Sequence, residues 1–231
     1  MTVKKMGDFF RASQNLIKAL FIRIYKWIRS FNVKQHQLTS TTSYDRYPEL
    51  FDAARNYITT RGFGRVSILS FGCSTGEECF TLRRYFPHAK IYGTDINRLN
   101  LLMATRANSD PDIQFFYSNE ENIRQHGPYH IIFCLSVLCR WEDTKDLDDC
   151  SAVYPFEKFD RTVAQLSECL IPGGIMVIYN SNFCLEDSSV GKYYEIIPVS
   201  LPDSGFVHKF DRFNRRLKIT HHACIYRKLP L

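Results

Sequence analysis

Between residues 65 and 180, short apolar runs alternate with amphipathic stretches of helical length. The runs "RVSILSF", "KIYGTDI", "IQFFYS", "YHIIFCLSVL" and "IMVIYN" read as strands. Between them "EECFTLRRYF", "RLNLLMATRAN" and "PFEKFDRTVAQLSECL" carry apolar residues at helical spacing, and "PGG" turns the chain into the last strand. Strands separated by helices must pair in parallel through right-handed crossovers, which predicts an α/β domain with helices on both faces of the sheet. A helix over "RYPELFDAARNYI", starting near Pro48 and ending near Gly62, precedes the first strand. "YYEIIPVS" and "HHACIYRK" add two strand candidates at the other end, and "FVHKFDRFNRRL" predicts a hairpin turning at Asn214 with Lys209 facing solvent. The 231 residues suffice for one such domain with small additions.

The net charge of +6 is unevenly spread. Lys4, Lys5, Arg11, Lys18, Arg23, Lys26, Arg29 and Lys34 face Asp8 alone within residues 1–40, so the remainder is close to neutral. A nucleic-acid binder usually carries its cations across the folded surface, and nucleic acid is therefore not an expected partner. The segment "LIKALFIRIYKWI" is too short and too charged to span a bilayer. It predicts a basic amphipathic arm over 1–40, joined through the polar linker "HQLTSTTS" to a domain over 41–231. Residues 1–35 could serve a homodimer or rest on an anionic membrane, at the inner surface of a cytoplasmic location. The eight cysteines form no C-x-x-C pair and several lie in apolar runs, so reduced, buried thiols are expected. "HHAC" at 221–224 lacks a second ligand pair and reads as strand, with no metal expected.

Chemistry concentrates in "SFGCSTGEE" at the end of the first strand. Gly72 and Gly76 allow positive φ and close approach of a ligand, while the following helix directs free N–H groups at it. No lysine follows Gly76, as a P-loop requires, and the G-x-G-x-x-G spacing of dinucleotide sites is absent. Asp95 at the end of the second strand suits the two hydroxyls of a ribose. Glu77 and Glu78 would repel a pyrophosphate and attract an ammonium or sulfonium group. Ribose, ammonium and sulfonium occur together in S-adenosylmethionine.

"FGCSTGEE", "YGTDIN", "IIFCLSVL" and "LIPGGIMVI", in this order, resemble the class I methyltransferases. The turn is most similar in style to that of the chemotaxis-receptor glutamate methyltransferases. The resemblance runs from about Arg65 to about Ile178. It implies a Rossmann-like fold with a seven-stranded, mostly parallel sheet, an antiparallel C-terminal strand, and S-adenosylmethionine as cofactor. It also implies that Gly72, Cys73, Ser74 and Gly76 wall the methionine part, and that Glu78, or else Glu77, binds the ammonium. Asp95 would take the ribose, Ile96 the adenine face, Ser118 or Asn119 the adenine amino group, and Ser136 with Val137 the end of the fourth strand. The chain departs from the family in having Ser70 where an acid often stands, and from the receptor enzymes in having Leu135-Ser136 after the cysteine. Receptor glutamate is therefore not the expected substrate, and a small or medium-sized acceptor is.

A methyl acceptor that needs a base would look to the segments after the fourth and fifth strands or to the approach to the first. Glu142 and Tyr44 are the candidates there. Arg140, Trp141 and Asp143 neighbour the first, Asn180 to Asn182 form a further set, and Tyr44 to Tyr47 could close over the site. The competing functional reading is a catalytically inactive cofactor-binding module with an interacting N-terminal helix.

Overall fold

The computed structural model describes residues 35–230 except 38, 202–204, 219, 220 and 222, so the helix expected over 16–28 lies outside the described residues. Helix α1 (Pro48–Thr60) leads to β1 (Ser67–Phe71), α2 (Glu77–Tyr85), β2 (Lys90–Asp95), α3 (Arg98–Ala107) and β3 (Ile113–Tyr117). There follow α4 (Glu120–His126), β4 (Tyr129–Leu135), the single turn α5 (Trp141–Thr144), α6 (Phe156–Glu168) and β5 (Leu170–Tyr179). Two short 3-10 turns separate β5 from β6 (Tyr194–Ile197), and β7 (Ile225–Lys228) comes last. The sheet order is β3-β2-β1-β4-β5-β7-β6, with β7 antiparallel to both neighbours and the other pairings parallel. This is a Rossmann-like sheet of seven strands, mostly parallel, with the antiparallel C-terminal strand that the resemblance implies. Strand order reverses between β1 and β4, where an open parallel sheet binds its ligands.

Neighbouring residues on each strand serve opposite cores. Ile68, Ile91, Ile131, Ile175 and Ile225 point into the layer closed by Leu50, Phe51 and Ala54 of α1 and Leu82 of α2. Leu69, Tyr92, Ile132, Met176 and Tyr226 point to the other face, covered by Phe159, Val163 and Leu166 of α6 and Ile123 of α4. A strand buried on both sides has no polar face to display, which is why these segments read as continuous apolar runs. Pro48 sits in the first turn of α1, where its missing N–H leaves no bond unmade.

The structure departs from the sequence expectations at identifiable places. Residues 120–126, for which the sequence predicts no element, form α4, capped by Asn119 Oδ1 accepting from Asn122 N at 2.7 Å. The "PGG" segment belongs to β5, where the register jumps from Tyr129↔Leu170 to Ile131↔Ile175 and the extra residues bulge out. "HHAC" precedes β7 instead of forming it. The hairpin turning at Asn214 is present, closed by the Phe210↔Arg216 bridge and by Leu217 N donating to Lys209 O at 2.8 Å, but Lys209 Nζ donates to Ser181 O at 2.7 Å instead of facing solvent. All eight cysteines are buried and unpaired, as the apolar runs predict.

Gly93 lies mid-strand with no demand on its φ, yet a Cβ there would meet Phe115 Cδ1 at 2.6 Å and Cys79 Sγ at 2.8 Å. Gly93→Ala is expected to lower unfolding free energy in urea by about 1–3 kcal/mol through overpacking. Gly64→Ala, which meets nothing within 4 Å, should stay within about 0.5 kcal/mol of wild type.

Candidate active site

At the carboxyl ends of β1, β2 and β4 the chain encloses a cavity of about 910 Å³. Its floor is the turn after β1. Gly72 N and Cys73 N both donate to Thr94 O of β2, at 2.8 and 3.0 Å, which folds the turn back across the strand ends. Gly72 has φ 81°, and a Cβ on it would stand 2.4 Å from Val137 Cγ2, so glycine is required both by conformation and by space. Ser74 takes φ 51° without being glycine. Its amide donates to Asp95 Oδ2 at 2.9 Å, while Asn97 N donates to Oδ1 at 2.7 Å. Asp95 thereby couples the β1 turn to the start of α3, and each carboxylate oxygen can accept more than one such bond.

Gly72, Cys73, Ser74, Glu78, Asp95, Ile96, Ser118, Asn119, Ser136 and Val137 all line this one cavity. Gly76 and Glu77 do not. Gly76 is the left-handed N-cap of α2 with φ 98°, packed against Phe115, Ala104 and Phe80. Glu77 turns aside, its carboxylate taking the Thr75 hydroxyl at 2.7 and 2.9 Å. The first turn of α2 thus points its second acid, not its first, into the cavity. Glu78 Oε1 accepts from Ser70 Oγ at 2.7 Å, so Ser70 at the end of β1 holds the glutamate in place. Burial raises the Glu78 pKa to about 7, against the opposing pull of Ser70 and Arg46.

The candidate bases stand outside this wall. Tyr44 is 60% exposed and stacks on Phe80, and α5 turns Glu142 to solvent while Trp141 faces in. Tyr47, three residues beyond Tyr44, is the tyrosine at the cavity: its hydroxyl lies 2.7 Å from Ser136 Oγ, and Asn180 Nδ2 donates to both oxygens at 3.1 Å. Ser136 and Asn180, next to the ends of β4 and β5, have φ 57° and 52°. Left-handed non-glycine residues are uncommon, and Ser74, Ser136 and Asn180 stand just beyond the ends of β1, β4 and β5. Burial raises the thiols of Cys73 and Cys134, which suits packing groups and not nucleophiles.

A further wall went unread in the sequence. Of the polar stretch taken as linker, His36, Gln37 and residues 39–42 line the cavity. His36 Nδ1 lies 2.6 Å from Tyr154 Oη and Nε2 lies 3.1 Å from Thr162 Oγ1, while Arg140 donates to the His36 and Gln35 carbonyls. Burial, with Lys158 and Arg140 adding to it, lowers the His36 pKa to about 3, so the ring is neutral. Leu38 is the one apolar residue in this polar segment, and the anchors of His36 lie more than a hundred residues away.

Residues 69–176 match the model of a methyltransferase domain. The match spans just under half of the chain. The structure is similar to the plantazolicin methyltransferase BpumL in complex with SAH, at 20% identity and a TM-score of 0.40, covering 57% of this chain and 46% of that one. It is also similar to SAM-bound CalS10, an amino pentose methyltransferase from Micromonospora echinaspora, at 18% identity and a TM-score of 0.44, covering 69% and 59%. The chain thus spans about half the length of these two proteins, and likenesses this distant say nothing about the acceptor. Among curated sequences no relative matches.

The cofactor of such a domain is S-adenosylmethionine, and the cavity fits it. A carboxylate at the end of β2, a second one half-buried at the start of α2 and a turn that excludes any Cβ suit a ribose, an ammonium and a close-lying methionine chain. Because the Glu78 pKa is raised above the ordinary 4.5, the folded chain holds its proton between about pH 4.5 and 7. Stability from this group is full below 4.5 and is lost as pH rises through 7. Glu78→Gln should therefore stabilise the ligand-free protein at pH 8 by about 1–2 kcal/mol, discounted for the cavity's access to water, and by less at pH 5. Urea denaturation at the two pH values measures the difference.

Proposed function

We propose that this chain transfers a methyl group from S-adenosylmethionine to a small or medium-sized acceptor. The observation that carries the reading is the convergence of Glu78 and Asp95 on one cavity at the point where strand order reverses. In this reading Glu78 ionises to hold the α-ammonium, and Asp95 accepts from the ribose hydroxyls. Ile96 lies along the adenine, Ser118 and Asn119 meet its amino edge, and Gly72, Cys73 and Ser74 contact the methionine chain. Ser136 and Val137 face the same ligand from β4. Gly76 keeps a role through the turn it shapes, and Glu77 takes none at the ligand.

When bound, the cofactor supplies an electrophilic methyl group on its sulfonium sulfur. The chain's part is then to orient two reactants and exclude water. A volume of about 910 Å³ lies toward the upper end of ligand sites and supports two occupants. Tyr47, its hydroxyl held by Ser136 and Asn180, supplies a fixed polar group for the acceptor, and Trp141 packed edge-on to Phe206 at 5.4 Å supplies an apolar side. The turn's likeness to the chemotaxis-receptor glutamate methyltransferases concerns the cofactor half only. The amphipathic pattern of residues 16–28 favours a homodimer through the arm, and the cations over residues 1–35 favour peripheral contact with an anionic membrane. Removing residues 1–34 should abolish either self-association or sedimentation with anionic liposomes, and loss of neither would sink that assignment.

Calorimetric titration with S-adenosylmethionine and with S-adenosylhomocysteine tests the main reading, with micromolar binding of both expected. Asp95→Ala should weaken binding by on the order of 2 kcal/mol or more. Affinity should climb as pH rises from 6 to 8, with proton release on binding at pH 6, because the ammonium selects the ionised Glu78. Folded protein that binds neither ligand would refute the proposal.

A further inference from the structure

The sequence "HHAC" carries no second ligand pair within reach along the chain, but folding brings one from elsewhere. Cys184 and Glu186, at the 3-10 turn after β5, meet His221 on the segment leading to β7. A ligand atom of each side chain lies within 4.8 Å of the other two. We propose that Cys184, Glu186 and His221 form a binding site for a divalent metal of zinc type, beside the end of β5 and the start of β7 and sharing no residue with the cofactor cavity.

The donor set argues for the kind of ion. Thiolate, imidazole and carboxylate are the three ligand types zinc prefers, and a water completes four-coordination. Magnesium and calcium, which take oxygen ligands almost alone, are poorly served by sulfur and nitrogen. Geometry supplies further support. His221 Nε2 lies 2.9 Å from Glu186 Oε1, and Tyr226 Oη donates to Glu186 Oε2 at 3.0 Å, which fixes the carboxylate from behind. On its other side the ring meets the Cys184 thiol, and Nδ1 is buried with no conventional hydrogen bond among the described residues, so the imidazole sits between sulfur and carboxylate. Cys184 is buried whereas Glu186 is exposed and borders a surface depression shared with Ser188, Lys192 and Asp211, which gives the ion a route in.

A metal held here ties the turn after β5 to the approach to β7, two segments thirty-five residues apart between Glu186 and His221. Its expected role is structural, closing the loop that carries β6 and fixing the antiparallel edge of the sheet.

Cobalt(II) titration of the full chain, freed of metal with a chelator, tests the site. A thiolate-to-cobalt charge-transfer band that zinc abolishes is expected from wild type, and Cys184→Ser should remove it. Because losing even an outer partner of a ligand weakens metal binding about ten- to hundredfold, Cys184→Ser and His221→Gln should each lower zinc affinity on the order of hundredfold. Zinc should also raise the wild-type Tm, reversibly with chelator. Absence of the band in wild type overturns the proposal whether or not the variants fold. So does a band of full strength in folded Cys184→Ser, since the sulfur would then belong to another cysteine.

Discussion

The candidate site depends on one short set of hydrogen bonds between the tips of β1 and β2. Thr94 O receives the amides of Gly72 and Cys73, and the Asp95 carboxylate receives those of Ser74 and Asn97. These four donors would otherwise be turn and helix-start amides without partners, and satisfying them fixes the glycine turn relative to the second strand. Once the turn is fixed, α2 begins with Glu78 directed at the cavity and Glu77 directed away from it. The same carboxylate that we assign to a ribose therefore also shapes the wall facing the methionine chain.

Glu78 illustrates how the cavity is prepared for a cation. Burial alone would leave it protonated near neutrality, and the Ser70 hydroxyl only partly offsets that. A positively charged ligand completes the set by favouring the ionised form. Arg46 acts in the same direction, from the segment that lies over the cavity. On the proposed reading, ligand charge and protonation state are linked, and a phosphate-bearing ligand would find the site hostile.

The approach segment before α1 closes the cavity by polar means. His36, held neutral between Tyr154 and Thr162, and the Gln35 and His36 carbonyls held by Arg140 form a clamp in which buried polar groups find partners on distant elements. Such a clamp fixes position more narrowly than apolar contact does, because each bond must be made or a buried group is left unpaired.

The sequence by itself determined the sheet, since strands buried on both faces leave unbroken apolar runs and their alternation with amphipathic helices permits only parallel crossovers. It likewise marked the glycine turn, Asp95 and the pair of acids, because local spacing puts these at strand ends whatever the rest of the chain does. Helix α4 escaped notice because its seven residues bury only Ile123 and leave no apolar stripe. Only the tertiary structure decided which of Glu77 and Glu78 faces the cavity, that Tyr47 and not Tyr44 meets Ser136, that residues 36–42 form a wall, and that Cys184, Glu186 and His221 converge. Each of these depends on the direction of a side chain or on contacts between segments tens to more than a hundred residues apart, and such information has no period along a chain.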